Sequence, residues 1–374
     1  MDTDAVVIGA GAVGLACARA LAQSGRSVIV LERHDRFGVE TSSRNSEVVH
    51  AGIYYTPGSL KARLCALGNR SLYAYCESRG VPHRRIGKLI VATEPAEEPK
   101  LADILKRGHD NGVVSLGTLT PAEATRMEPN VRCTAALWSP DTGIVDSHQF
   151  MKSLLAETEA GGGTVAWRHT LHAAEKIEGG YRLQARLGAK EESTITTRAV
   201  VNSAGLDADN VAALAGLDPD SCGYRLHYAR GHYFRVHSKK SHLASHLIYP
   251  TPIPGGLGIH VTFDLAGGMR LGPDVQYLEG REQNYDVPGS LRGPFHAAVS
   301  RYLTGLDEAD LTPDLAGIRP KLSGAGEPPR DFVIAEESAR GLAGWVNLVG
   351  IESPGLTCAL DIAAMVEGLL EERA

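Results

Sequence analysis

The segment "AVVIGAGAVGLACARALAQSG" near the start of the chain constrains the fold more than any other. A buried-strand run at residues 5–8 meets Gly9, Gly11 and Gly14, and apolar residues then continue at helical spacing. The pattern predicts strand, tight turn and helix in direct succession. The first glycine permits the turn, the second lets backbone approach a pyrophosphate, and the third lets helix pack on strand, with the helix N-terminus facing the phosphates. By itself such a turn is a weak sign of a ligand. Here a second apolar strand, "SVIVLER", ends in Glu32, 18 residues beyond Gly14, where a carboxylate can accept bonds from an adenosine ribose. A dinucleotide is the working expectation, and flavin and nicotinamide both satisfy it at this point.

Two further strand–glycine–helix junctions lie far along the chain. "AVVNSAG" runs into a turn and helix, and "GWVNLVGIESPGLTCALDIAAMVEGLLEERA" reads as a strand at 345–349, a Gly/Ser/Pro turn and an amphipathic helix from about Gly355. One nucleotide domain assembled from separated segments accounts for all three, and 374 residues leave room for a second lobe. The charged residues are interspersed and sum to -6, which gives no basic stripe, so no nucleic-acid partner is expected. Six cysteines are scattered without a CxxC pair, so neither a disulfide framework nor a zinc site is expected and a reducing compartment fits. The acidic start "MDTDAVVIGAG" lacks the positive charge of a signal peptide, and no apolar run approaches the roughly 20 residues of a membrane span. The expected location is cytoplasmic, with peripheral contact at the inner face of a membrane left open.

Taken together, "GAGAVG…LER", "TSSRNSEVVHAGIYYTPGSLKARLC", "YARGHYFRV", "LIYPTPIPGGLGIHVTFD", "RLGPD", "AGIRPKL", "DFVI" and "VNLVGIESPGLTCAL" resemble the L-2-hydroxyglutarate dehydrogenase family. That family is a branch of the D-amino-acid oxidase-like FAD oxidoreductases, which also include glycine oxidase and glycerol-3-phosphate dehydrogenase. The matching blocks run from Gly9 to Leu360. The resemblance implies an α/β fold: a Rossmann-like FAD-binding domain of about 1–80, 142–220 and 317–374, interleaved with an α+β substrate domain of about 81–141 and 221–316. The insert is expected to hold an antiparallel sheet, and "HYFRVHS" and "LGIHVTF" alternate suitably. Pro250, Pro252 and Pro254 with Gly255 and Gly256 mark a loop between them. One departure is Glu47, where relatives usually carry a small residue, often glycine; a charge there would repel a dianionic substrate if it faced the pocket.

The resemblance also assigns residues. Gly9, Gly11, Val13 and Gly14 would serve the pyrophosphate, with Glu32 and Arg33 at the adenosine ribose and adenine edge. Thr41, Ser42, Arg44, Asn45 and Ser46 resemble the loop between diphosphate and flavin ring, Gly205 a glycine where backbone meets cofactor, and His172 a backbone contact to adenine. The helix from Gly355, with Ser353, Leu356 and Thr357, would turn its N-terminus toward the N1–C2=O edge of the flavin and favour the reduced anion. Cys358 is read as a small buried helix residue, so the FAD is expected to be non-covalent.

Oxidation of a 2-hydroxy acid requires the C2 hydrogen to pass as hydride to flavin N5 while a base takes the hydroxyl proton. His50 and His260 compete for the role of base, since an imidazole suits proton removal near neutrality. Arg319 in "AGIRPKL" matches the family arginine that binds the substrate carboxylate, which a guanidinium can grip through two parallel hydrogen bonds. Lys61, Arg230 and His232, with the hydroxyls of Tyr55 and Tyr249, are candidates for a distal carboxylate. The leading expectation is an FAD-dependent dehydrogenase of L-2-hydroxyglutarate or a close analogue. Electrons would pass to an acceptor other than NAD, such as a quinone or an electron-transfer protein. The alternatives are an amine or amino-acid oxidase of the same superfamily that releases hydrogen peroxide, and a flavoprotein that has lost catalysis.

Overall fold

A computed structural model describes residues 1–188, 191–252 and 258–371. Pro254, Gly255 and Gly256 lie outside the described residues. Contacts divide the chain into two units: the first comprises Met1–Ser43, Ser147–Tyr228 and the residues from Arg319 onward, the second Arg44–Asp146 and Ala229–Ile318.

The first unit is built on an eight-stranded sheet. Its centre is parallel: Thr164–Trp167, Val28–Glu32, Thr3–Ile8, the end of Glu191–Asn202, and Leu342–Val349 lie side by side in that order. These strands are near-continuous apolar runs because a parallel sheet is covered on both faces. The apolar residues of Thr3–Ile8 and Leu342–Val349 are almost all sealed from solvent. The first half of Glu191–Asn202 turns instead to antiparallel pairing with Gly180–Leu187, which pairs with His169–Ile177. Helices Ala12–Gln23 and Gly355–Glu371 pack on one another in this unit.

The second unit holds a nine-stranded sheet that includes Gln276–Tyr277, His227–Val236, Met269–Leu271, Val261–Phe263, Leu247–Pro250, Lys88–Ala92, Ala135–Ser139 and Gly117–Leu119 in spatial order. The neighbours in this order pair antiparallel as expected, except that Leu247–Pro250 runs parallel to Lys88–Ala92. A three-stranded sheet joins Val48–Val49, Gly143–Val145 and His83–Arg84.

The division differs from the expected segments in placing residues 44–80 with the second unit. Strand pairing and side chains both hold them there. Val48 pairs with Ile144, and Ile53 packs with Leu101, Ile104 and Leu137. From the helix Leu60–Arg79, the Asn69 amide and the Tyr73 hydroxyl both donate to the Asp141 carbonyl, at 2.9 and 3.2 Å.

Candidate functional site

In the first unit sterics dictate two of the three glycines, Gly9 and Gly14. Gly9 has a φ of +100°, which L side chains rarely adopt, and a Cβ there would sit 2.7 Å from the Ser203 carbonyl oxygen. At Gly14 a Cβ would lie 2.0 Å from the Gly9 carbonyl oxygen, so only glycine lets the helix approach the strand this closely. At Gly11 the nearest group is the Ser42 hydroxyl, 2.9 Å away, which accepts the Ala12 amide at 3.0 Å. The turn, the start of Ala12–Gln23 with Val13 on it, and the Thr41–Ser43 turn are thus one constellation. Glu32 is buried and its carboxylate accepts the amides of Ala10 and His34, both at 2.8 Å. A carboxylate oxygen has lone pairs left after one such bond, so this anchorage is compatible with a ribose hydroxyl as a further donor.

Other cofactor candidates take more varied positions. Arg33 is bound to Glu40 and Asp207, its Nε donating to Glu40 at 2.8 Å. His172 falls at a bulge between Leu171 and Ala173, which takes its backbone out of regular pairing, and its ring meets Glu192 at 2.6 Å. Gly205 has a φ of +56° at the turn before the helix Ala208–Leu214. Gly355 opens the helix Gly355–Glu371, followed by Leu356 and a buried Thr357; Ser353 lies just before it, where Lys321 grips Glu352 at 2.8 Å. Cys358 is fully buried on that helix. These residues fit the dinucleotide half of FAD: the turn is closed to side chains at Gly9 and Gly14 and bordered at Gly11 only by the Ser42 hydroxyl, so backbone there can approach a pyrophosphate.

Arg44 and Asn45 belong to the second unit, where Arg44 stacks on Tyr285, 4.0 Å from the ring centroid. Asn45 accepts the Glu47 amide at 2.7 Å, and Ser46 lies between them, half-buried. Glu47 itself has a φ of +56°, the left-handed region that glycine adopts freely.

A polar cluster is embedded in the second unit. Residues 50–55 are pinned through their carbonyls: His50 accepts from Asn69 at 3.0 Å and Cys65 at 3.5 Å, Tyr54 from Arg107 at 3.1 Å, and Gly52 and Tyr55 from Asn111, both at 2.9 Å. Against this segment lies Lys88, 0 % exposed at the start of Lys88–Ala92, with its Nζ 4.7 Å from the Tyr54 ring and 4.5 Å from the Tyr249 ring. Leu247 is the register partner of Lys88, so Tyr249, two residues on, shares its face of the sheet. Lys88 Nζ and the Tyr54 hydroxyl are buried without a hydrogen-bond partner among the described residues. His260 stacks on Tyr249 with ring centroids 3.8 Å apart and planes within 3°. Burial pushes the Lys88 ammonium down to about 7 and raises the Tyr54 and Tyr249 hydroxyls. His50 is half-buried, and desolvation together with the Lys88 charge holds its imidazole well below the ordinary value.

Each of the remaining substrate candidates has its own setting. Arg230 is committed to Asn284 and Gln276, at 3.0 and 2.8 Å. His232 is buried, with Asp274 accepting its amide at 2.7 Å and facing its Nδ1 at 2.9 Å, while Nε2 is buried without a hydrogen-bond partner among the described residues. Lys61 and Tyr55 are half-buried, Lys61 in the first turn of Leu60–Arg79. Arg319 is half-buried on Leu311–Lys321, at the residue where the first unit resumes. Lys88, Tyr54 and Asp274 were missed from the sequence; the one available signal was a lysine opening the apolar strand "KLIVA".

A family model described as FAD dependent oxidoreductase matches residues 4–367. The mitochondrial L-2-hydroxyglutarate dehydrogenase of Arabidopsis thaliana is 43 % identical over 96 % of this chain and 82 % of its own length. Its counterpart from Caenorhabditis elegans is 32 % identical over 97 % and 92 %. Among solved structures, L-alpha-glycerophosphate oxidase from Mycoplasma pneumoniae with FAD bound superposes with a TM-score of 0.88 at 24 % identity, covering 99 % of this chain and 94 % of that one. Glycine oxidase from Geobacillus kaustophilus gives 0.83 at 18 %, covering 100 % and 95 %. Both likenesses concern the fold, which is that of the D-amino-acid oxidase-like flavoproteins.

Proposed function

We propose, starting from the fact that this chain belongs to the FAD-dependent oxidoreductase family and within it to the L-2-hydroxyglutarate dehydrogenases, that it oxidises the C2 hydroxyl of L-2-hydroxyglutarate or a close analogue to the 2-oxo acid. The observation that carries this reading is the 43 % identity sustained over 96 % of the chain. Bound FAD supplies the two-electron acceptor for the hydrogen on C2. The glycine turn and Glu32 hold the dinucleotide half of the cofactor. Arg319 binds the substrate carboxylate and orients C2. His50 takes the hydroxyl proton, being half-buried and unprotonated at neutral pH, whereas the His260 ring has one face stacked on Tyr249. His232, its Nδ1 facing Asp274, offers Nε2 to a substrate hydroxyl or a bound water.

Among the described residues no helix is long and apolar enough to cross a membrane. We place the protein in a reducing compartment, in line with six free thiols. Its electrons pass to a quinone or an electron-transfer protein. The test is an anaerobic screen of the purified yellow protein against L- and D-2-hydroxyglutarate, other hydroxy acids, glycine and L-amino acids. L-2-hydroxyglutarate should bleach the flavin fastest, with little hydrogen peroxide on admission of air. Bleaching by amino acids alone, with stoichiometric peroxide, would overturn the assignment.

A further inference from the structure

Lys88 is 0 % exposed and has no part in the roles assigned above, although lysine is almost never fully buried unless it is paired. The sheet sets its surroundings. Ile90 and Tyr249 are register partners, so Lys88, Ile90, Tyr249 and then Thr251 rise from one face. Leu89, Val91 and Ile248 turn to the opposite face and pack there with Phe234 and Phe295. Thr251 keeps to the ladder, donating its amide to the Val91 carbonyl at 3.1 Å. From the segment 50–55, the Tyr54 ring comes within 4.7 Å of Lys88 Nζ, and the Tyr249 ring lies 4.5 Å from the same atom. Three groups of this layer, Lys88 Nζ and the hydroxyls of Tyr54 and Thr251, are buried with no hydrogen-bond partner among the described residues. All three can donate, and the ammonium can do nothing else. The carbonyls of the facing segment are already engaged: His50 accepts from Asn69, Tyr54 from Arg107, and Gly52 and Tyr55 from Asn111. Among the described residues no acidic side chain pairs with Lys88. A Leu or Met would fill the same strand position without the cost of desolvating an ammonium. The layer therefore holds donors for a negative group and supplies no negative group of its own.

We propose that Lys88, with the hydroxyls of Tyr54 and Thr251, receives the substrate carboxylate remote from C2 and thereby selects a diacid over a monoacid. This inference deepens the reading above and rests on its substrate class. The ammonium supplies charge and three donors, and the two hydroxyls can reach the lone pairs it leaves. In a layer shut off from water each charge-assisted bond is stronger than at a surface. Two ring faces hold Nζ before the ligand arrives, which lowers the cost of ordering it on binding. His260, stacked on Tyr249 with centroids 3.8 Å apart, fixes one of those rings. Tyr54 is half-buried although its hydroxyl is sealed, so a swing of this side chain gives the carboxylate its way to Nζ.

The test titrates the FAD-loaded protein with 2-oxoglutarate and with 2-oxopentanoate, which carries a methyl in place of the remote carboxylate. Binding is read from the perturbed flavin absorbance and from thermal stabilisation. The wild type should bind the diacid more tightly by about 10-fold or more; equal affinities overturn the proposal. Lys88→Met should weaken the diacid by about 10–100-fold, the worth of a hydrogen bond to a charged group, and leave the monoacid near its wild-type affinity. A merely structural lysine would weaken both alike, so an unchanged ratio in folded, yellow Lys88→Met protein overturns the proposal. Tyr54→Phe and Thr251→Val each remove one hydroxyl at nearly constant shape and should cut the preference by about 3–10-fold. Should Lys88→Met fail to hold flavin, these two variants decide, and an undiminished preference in both overturns the proposal. The two readings fail separately. A preference lost in the variants, in a protein that oxidises no 2-hydroxy acid, keeps the carboxylate site and removes the substrate assignment. Oxidation of L-2-hydroxyglutarate by Lys88→Met with the wild-type KM keeps the assignment and removes Lys88 from the site.

Discussion

The glycine turn makes a graded prediction, because its three positions are confined by different atoms. A Cβ at Gly14 would stand 2.0 Å from the Gly9 carbonyl oxygen, where ordinary contact begins at 3.4 Å, so backbone must shift by about 1.4 Å. That shift disturbs the bonds from Gly9 N to Leu31 O at 2.8 Å, from Ala10 N to Glu32 at 2.8 Å and from Ser203 N to Ile8 O at 3.1 Å. At about 1 kcal/mol for each bond and roughly 1–3 kcal/mol for overpacking, Gly14→Ala should cost about 4–6 kcal/mol. Domain stabilities are only on the order of 5–15 kcal/mol, so most of the protein should be insoluble or colourless. Gly11→Ala meets instead the rotatable Ser42 hydroxyl at 2.9 Å, and at worst loses its bond to Ala12. It should fold with a loss of about 1 kcal/mol, yet bind FAD weakly, because the new methyl occupies the space through which backbone reaches the pyrophosphate. Thermal denaturation with and without added FAD, and flavin stoichiometry from absorbance, separate the two effects. Equal stability of the two variants would refute the close approach of helix to strand, and wild-type FAD affinity in Gly11→Ala would refute the cradle.

Arg319→Ala should lower kcat/KM by about 10²–10³, the loss of two charge-assisted hydrogen bonds, in steady-state assays with L-2-hydroxyglutarate; unchanged kinetics would remove the residue from the site. Glu47→Gly should raise stability by about 1 kcal/mol in chemical denaturation, since it relieves a side chain at a φ of +56°. Glu128 is buried; burial alone raises its pKa, but hydrogen bonds from Ser245 and His246 outweigh that and hold the carboxyl below its ordinary value of 4.5. Its contribution is therefore present in full above that value and fades as pH falls through the depressed one. Glu128→Gln should be less stable by about 2 kcal/mol at pH 7, with the gap closing in acid; a gap independent of pH would show that the charge is immaterial.

How far the molecule could be read from its sequence depended on the kind of constraint. The first unit was legible because its constraints are steric and local. Gly9, Gly11 and Gly14 fall within one turn, Glu32 ends the next strand, and parallel strands buried on both faces announce themselves as apolar runs. The strand Leu342–Val349 and the helix from Gly355 follow the same rule far along the chain. Partner choices were not legible: nothing in "LER" foretells that Arg33 meets Glu40 and Asp207, or in "YARGH" that Arg230 meets Gln276. Nor was the allegiance of residues 44–80, which is set by pairing with Gly143–Val145 from far downstream.

The second unit's cluster shows why chemistry can hide where fold does not. His50, Lys88, Tyr249 and His260 come from segments separated by loops and a parallel strand pairing that no local pattern announces. Residue type alone singles out the histidines and Tyr249, because such side chains suggest chemistry wherever they occur. Lys88 was passed over because lysines are ordinarily solvated, and only its burial gives it meaning. Glu47 carries the converse lesson. It stood out in sequence as an added negative charge, whereas its structure ties the departure to the backbone: the position needs a left-handed residue, and a glutamate there is strained whichever way its carboxylate points. Substituting glycine removes charge and strain together, so Glu47→Gln, which removes the charge alone, is the comparison that separates them. If Glu47→Gln leaves stability and KM near wild type while Glu47→Gly raises stability, the departure acts through the backbone, and a lower KM in both variants would return it to electrostatics.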